Sequence, residues 1–207
     1  MEKKFEVDAQ TFIGGWYMSE EICDQILDLY NNNKSLHEPG VVGTDIINED
    51  GKVTSRPHID AEAKKCTQLR VLKNAQQLSL YNIHLQAILD SYKQKYEWAD
   101  QVKYYKIVED MSIQHYKPGE GFYRWHMENT GHGFTINRHL VFMTYLNDVK
   151  EADGGSTFFC HYDLEVQPKK GLTLIWPAEW THAHKGNVLK FGNKYIITGW
   201  MNFSDNR

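Results

Sequence analysis

Turn-forming residues cut the second half of the chain into short apolar runs, and this punctuation restricts the fold more than any other feature. The breaks fall at Pro118-Gly119, Asp153-Gly154-Gly155, Pro168 to Gly171, Pro177 and Gly192-Asn193. They leave room for strands and none for helices of ordinary length. The runs between them are rich in β-branched and aromatic residues: Met111–Tyr116, Phe122–Glu128, Arg138–Leu146, Ser156–Phe159, Leu164–Val166, Leu172–Trp176, Ala183–Gly186 and Tyr195–Phe203. About eight short strands at this spacing predict a double-sheet jelly roll.

Before residue 100 the period changes. Ser19 can cap a helix whose first turn carries Glu20 and Glu21, acids suited to the positive end of the helix dipole. Ile22, Ile26, Leu29 and Tyr30 make its apolar stripe, and Asn31-Asn32-Asn33 ends it. A second helix is predicted over Leu72 to Tyr96, with Leu78, Leu85, Ile88, Leu89 and Tyr92 on one side. Between them, Asp50-Gly51 marks a hairpin turn within Thr44 to Arg56, a candidate lid. The expected architecture is mainly β with helices (α+β). It has a double-stranded β-helix core supported by N-terminal helices packed on one sheet. One domain spans 1–207, with 1–100 as helical support and lid and 101–207 as the jelly-roll catalytic core.

At 207 residues, 41% hydrophobic and 24% charged, the chain is long enough to bury a core and polar enough to be globular. A net charge of -4 with mixed signs gives no broad basic face for nucleic acid or an anionic membrane. Three widely spaced cysteines without a CxxC pattern exclude a disulfide framework and a cysteine zinc site. They fit a reducing, intracellular compartment. The segment MEKKFEVDAQTF has no signal-peptide core, and no apolar run approaches membrane-spanning length. The expectation is a soluble cytoplasmic protein.

The chemistry centres on WHMENTG, Trp125 to Gly131. Residues two apart on a strand share a face, so His126 and Glu128 project together at the end of an extended run. A jelly roll brings distant residues to one mouth, and WTHAHKGNVLKFGNKY offers His182 or His184 as a third group. Two histidines and one carboxylate occupy one face of an octahedral iron(II) and leave positions open. The same set also suits manganese or zinc.

These residues resemble the iron(II)- and 2-oxoglutarate-dependent dioxygenases, specifically the prolyl-4-hydroxylase-like branch. The similarity covers roughly Tyr104 to Phe203. The family motif is histidine-x-acid with a distant second histidine, followed about ten residues later by a basic residue. His126, Glu128, His184 and Lys194 fit that pattern, and the ten-residue separation favours His184 over His182. Tyr116, Gly119 and Tyr123 precede the motif as in the branch. Tyr145-Leu146-Asn147 and Asp153-Gly154-Gly155-Ser156-Thr157 match two further family segments. The chain departs from the commoner pattern in having Glu128 where aspartate is usual. It is closer to bacterial and phage-like members that read tryptophan-histidine-x-glutamate. Lys194 stands where some branches have arginine, a point charge in place of a bidentate fork.

The resemblance implies that His126, Glu128 and His184 bind Fe(II), and that Lys194, Tyr145 and Tyr116 serve 2-oxoglutarate, the first two at its far carboxylate. It further implies O2 as oxidant and ascorbate as an optional reductant. The reaction would hydroxylate a C–H bond, with proline in a peptide or protein as the first substrate class, and release succinate and CO2. A free amino acid or other small molecule is the alternative substrate. A non-catalytic, cupin-like metal-binding module is the alternative of another class, and it leaves Lys194 and Tyr145 without a task. Nucleic acid and membrane partners are not expected.

Overall fold

Alternation along the later strands gives the larger of the two core sheets its two faces. In the strand Lys194–Phe203, residues Lys194, Ile196, Thr198 and Trp200 point to an internal cavity, while Ile197 and Met201 point to a helical layer. This is the period of two expected for a strand. The computed structural model describes residues 4–47, 50 and 53–205.

Among the described residues, the larger sheet has nine strands. Its order is β1 (Lys4–Phe5), β2 (Gly14–Tyr17), β14 (Leu172–Pro177), β11 (Arg138–Tyr145), β16 (Lys194–Phe203), β9 (Met111–Tyr116), β7 (Thr67–Val71) and β3 (Glu38–Pro39), and β8 (Tyr105–Ile107) also pairs with β16. The smaller sheet has five strands, β13 (Leu164–Val166), β12 (Thr157–Phe159), β15 (His184–Gly186), β10 (Gly121–His126) and β6 (Lys64–Lys65). The two sheets close on Tyr116, Val141, Met143, Leu174, Trp176 and Ile196 from one side and Phe159 and Val166 from the other. The result is the expected double-stranded β-helix.

Two helices cover the outer face of the larger sheet. Helix α1 (Glu20–Asn32) buries Ile22, Cys23, Ile26 and Tyr30, and α2 (Ser79–Lys95) buries Tyr81, Leu85, Ile88, Leu89 and Tyr92. They pack on Leu69, Met111, Ile113, Leu140, Phe142 and Ile197. Each such side chain contributes about 1.5–3 kcal/mol by leaving water. The fit is close at Gly199, where a Cβ would lie 2.5 Å from the Phe142 ring.

Three local expectations change. Ser19 occupies the N-cap position of α1, but its side chain makes no capping bond. Helix α2 begins at Ser79 and not at Leu72, because Thr67–Val71 belongs to the sheet and a 3-10 turn, Gln76–Leu78, intervenes. The first hundred residues also give strands to both sheets, among them β6 and β7. The hairpin is present as β4 (Val42–Ile47) paired with β5 (Val53–His58). Gly51, expected in its turn, lies outside the described residues.

Candidate metal centre and cosubstrate cavity

Strands β10 and β15 place two histidines opposite each other, with His126 at the end of one and His184 at the start of the other. Glu128 follows just past β10. Its amide and that of Asn129 donate to the Ala178 carbonyl at 3.1 and 2.9 Å, which anchors the turn. One potential ligand atom from each of His126, Glu128 and His184 lies within 4.8 Å of the others. The Nε2 atoms of His126 and His184 stand 3.5 and 3.7 Å from Glu128 Oε1.

The backbone sets the tautomers. His126 Nδ1 is 3.0 Å from the Arg124 carbonyl, and His184 Nδ1 is 2.9 Å from the His182 carbonyl. A carbonyl only accepts, so the hydrogen-bond network assigns the proton to each Nδ1 and a lone pair to each Nε2. Two lone pairs and a carboxylate oxygen then converge on one point. That donor set fits a divalent cation, as fixed imidazoles do in metal sites generally. Burial, with the neighbouring His126, pushes the His184 pKa down to about 3, so the ring is a neutral donor at physiological pH. Burial alone would push the Glu128 carboxyl up. His126, Arg138 and His184 outweigh it and hold that group below the usual carboxylate range.

The second oxygen of Glu128 is held from behind. Trp200 Nε1 donates to Oε2 at 2.9 Å and Arg138 Nη1 at 3.3 Å. Arg138 also bonds the Glu128 carbonyl at 3.2 Å and grips Glu109 through Nε and Nη2 at 2.8 and 2.6 Å. Its guanidinium lies 3.5 Å from the Trp200 ring centroid, and Asn202 donates to Glu109 at 2.8 Å. Sequence reasoning missed Arg138, Glu109 and Asn202 and gave Trp200 no role. The one legible signal is the two-residue period that carries Lys194 through to Trp200 on the cavity face.

His182 is near in sequence but turned elsewhere. Alternation continued back from the expected strand Ala183–Gly186 would have put it on the same face as His184, but residues Trp180–His182 form a 3-10 turn. The ring is buried, with Nε2 2.8 Å from the Thr11 carbonyl and Nδ1 2.9 Å from Thr181 Oγ1. Both nitrogens are therefore engaged. Its contact with the cluster is through its backbone carbonyl.

Lys194 is 4% exposed and lines the same cavity, of about 680 Å³. Its Nζ lies 5.2 and 5.7 Å from the ring centroids of Tyr116 and Tyr145. No acidic side chain pairs with it among the described residues, and burial lowers its pKa to about 8. Tyr116 lines the cavity, and its hydroxyl donates to Gln114 Oε1 at 2.6 Å. Tyr145 stands behind the wall, donating to Thr157 Oγ1 at 2.7 Å. Thr157 lines the cavity, and as it accepts from Tyr145 its own proton is available to a ligand. Thr157 is a further residue to which the sequence reading assigned no role of its own. Tyr123 bonds the Gly119 carbonyl at 2.7 Å, across a turn in which Gly119 has φ 83°.

Comparisons with known proteins bear on the fold and on one segment of the sequence. A search of curated proteins returned no match. Among solved structures, a viral collagen prolyl hydroxylase from Paramecium Bursaria Chlorella virus-1, in complex with 2OG, superposes with a TM-score of 0.65. The identity is 17%, over 94% of this chain and 97% of that one. A Pseudomonas putida prolyl-4-hydroxylase gives 0.65 at 12% identity, over 95% and 98%. A Trichoplax adhaerens prolyl hydroxylase, solved with a hypoxia inducible factor oxygen degradation domain peptide fragment, gives 0.61 at 16% identity, over 88% and 77%. At these identities the likeness is one of fold. The family model for the 2OG-Fe(II) oxygenase superfamily matches residues 111–202, the segment that carries the triad and Lys194. Over that segment, which is somewhat under half of the chain, the sequence is similar to the 2OG-Fe(II) oxygenase superfamily.

Proposed function

We propose that the protein is an Fe(II)- and 2-oxoglutarate-dependent dioxygenase that hydroxylates proline in a peptide or protein. One observation carries the reading: a metal-ready acceptor triad and a buried lysine that has no acidic partner among the described residues open into one cavity. A buried ammonium needs an anion, and a dicarboxylate held at its other end by a metal supplies it. The prolyl assignment draws on the prolyl hydroxylases of the same fold, one of which was solved with a peptide.

His126, Glu128 and His184 would hold iron. When bound, the metal with oxygen and 2-oxoglutarate supplies the oxidising chemistry that ends in succinate, CO2 and a hydroxylated carbon. The rest is the protein's work. Lys194 and Thr157 grip the distal carboxylate, Tyr145 orients Thr157, and Tyr116 walls the lysine from water. Arg138 and Trp200 keep Glu128 turned toward the histidines. Phe122 stacks on His126 at 3.6 Å and keeps water from one side of that ring.

The test is an anaerobic titration of the metal-free protein with iron(II) and then 2-oxoglutarate, in buffer with and without ascorbate. The expected result is a weak visible charge-transfer band that saturates with one equivalent of cosubstrate. Iron binding without that band would remove the 2-oxoglutarate reading and leave a metal-binding jelly roll.

The same titration carries a pH prediction. Burial has lowered Lys194 to about 8, and an anion binds its protonated form. Cosubstrate affinity should be flat below that pH. Above it, affinity should fall about tenfold per pH unit until the higher pKa of the ligand-bound lysine is reached. Lys194→Met should bind weakly at every pH and lose the slope. A slope that survives in Lys194→Met would assign the titration to another group.

A further inference from the structure

The cavity holds a second buried lysine that the proposed reaction leaves unused. Lys64 is 5% exposed and lines the cavity. Strand register aims it there: Lys64 lies opposite Phe122 in the β6–β10 pair, and Phe122 shares a face with His126 four residues on. Its Nζ is 5.1 Å from the centroid of the Phe122 ring, which stacks on His126. One aromatic ring therefore separates the ammonium from the triad. The stem passes beneath Gly40, where a Cβ would lie 3.4 Å from Lys64 Cε. The head thus sits near the foot of the β4–β5 hairpin, whose Val42 and Gly43 also line the cavity.

Among the described residues, six cations line this cavity: Lys64, Arg70, Lys73, Arg124, Arg138 and Lys194. Four are engaged by the protein. Arg70 faces Glu38 at 3.8 Å, Arg124 pairs with Asp60 at 2.8 Å, Arg138 holds Glu109 and Glu128, and Lys73 Nζ donates to the Val108 carbonyl at 2.6 Å. Among the described residues, Lys64, Lys73 and Lys194 have no acidic partner, and of these only the Lys73 ammonium is held by a carbonyl. The cosubstrate has two carboxylates, one for the metal end and one for Lys194. That division rests on the function proposed above, and it leaves the Lys64 charge for another molecule.

We infer that Lys64 binds a carboxylate of the substrate, so that the enzyme selects an anionic group close to the C–H bond it oxidises. Either an acidic side chain flanking a proline or the α-carboxylate of a terminal or free proline supplies that chemistry.

The experiment uses manganese(II)-loaded protein with 2-oxoglutarate, kept anaerobic, with binding followed by calorimetry. One pair of probes is a single-proline peptide with glutamate or glutamine at the flanking positions. The other pair is N-acetylproline and N-acetylprolinamide. The native protein should bind the charged member of one pair about tenfold or more tightly than its neutral twin. The preferred pair identifies the source of the carboxylate. That preference should shrink with added salt, vanish in Lys64→Met and persist in Lys64→Arg, with 2-oxoglutarate affinity unchanged in both variants. No charge preference in the native protein, or a preference that survives in Lys64→Met, overturns the inference alone. Weakened 2-oxoglutarate binding in Lys64→Met also overturns it, by moving the lysine to the cosubstrate. Failure of the native protein to bind 2-oxoglutarate, read first, sinks the dioxygenase reading and this inference with it.

Discussion

A His184→Ala variant is expected to lose iron(II) binding by more than about a hundredfold and hydroxylation entirely, while His182→Ala keeps both. Removing even an outer partner of a metal ligand typically costs 10–100-fold in affinity, roughly the least to expect for a ligand itself. The two histidines stand two residues apart and are both buried, so burial does not separate them. Their hydrogen bonds do. His184 gives one nitrogen to a carbonyl and keeps the other, at 3.7 Å, for the point it shares with Glu128. His182 spends both nitrogens on Thr11 and Thr181. His182→Ala should therefore act on stability, by about 1–3 kcal/mol for a buried partner left unsatisfied. In a domain of this size that is a fall of several degrees in melting temperature. Iron titration and a thermal melt on both variants separate the two effects. Iron binding lost in His182→Ala and kept in His184→Ala would reverse the assignment.

The distinction between these histidines shows how far the sequence could be read. The strands of the core were legible because proline, glycine and asparagine mark their ends, and turn chemistry is local. His126 and Glu128 were legible as a pair from their two-residue spacing, although β10 ends at His126 and the turn anchored on Ala178, not the strand period, carries Glu128. Which later histidine meets them was not legible. The 3-10 turn at Trp180–His182 breaks the expected alternation, and only family spacing favoured His184. Strand Thr67–Val71 was missed: it is short, no turn residue marks its ends, and it abuts the predicted helix start at Leu72. Lys64 was invisible for a related reason. In a two-residue strand next to a second lysine, nothing local says which ammonium turns inward; the register with Phe122 decides it. Arg138 meets Glu109 and Glu128 through the packing of separate segments and a register shift at the start of β11, which no spacing encodes.

That arginine carries the second large effect. Arg138→Met is expected to destabilise the fold by about 3–5 kcal/mol, the usual result of removing one partner from a buried ion pair, and to weaken iron binding as well. Its side chain is 8% exposed and faces two carboxylates, Glu109 and Glu128. Removing it leaves both without their cation. Trp200→Phe is the cleaner variant. It keeps an aromatic face for the guanidinium to stack on and deletes the N–H that donates to Glu128 Oε2. A glutamate has one more rotatable bond than the aspartate usual at this position in the family, and so more ways to turn from the metal. Two donors on Oε2 remove that freedom by fixing the oxygen that faces away, which leaves Oε1 toward the histidines. With one donor gone, iron affinity should fall about 10–100-fold while the melting temperature moves by only a few degrees. Iron titration and thermal melts on Trp200→Phe, Arg138→Met and the double variant give the coupling between the two donors. If both singles weaken iron binding and the double is no worse than Arg138→Met, the two act as one clamp on the carboxylate. An unchanged iron affinity in Trp200→Phe would mean that Arg138 alone sets the direction of Glu128.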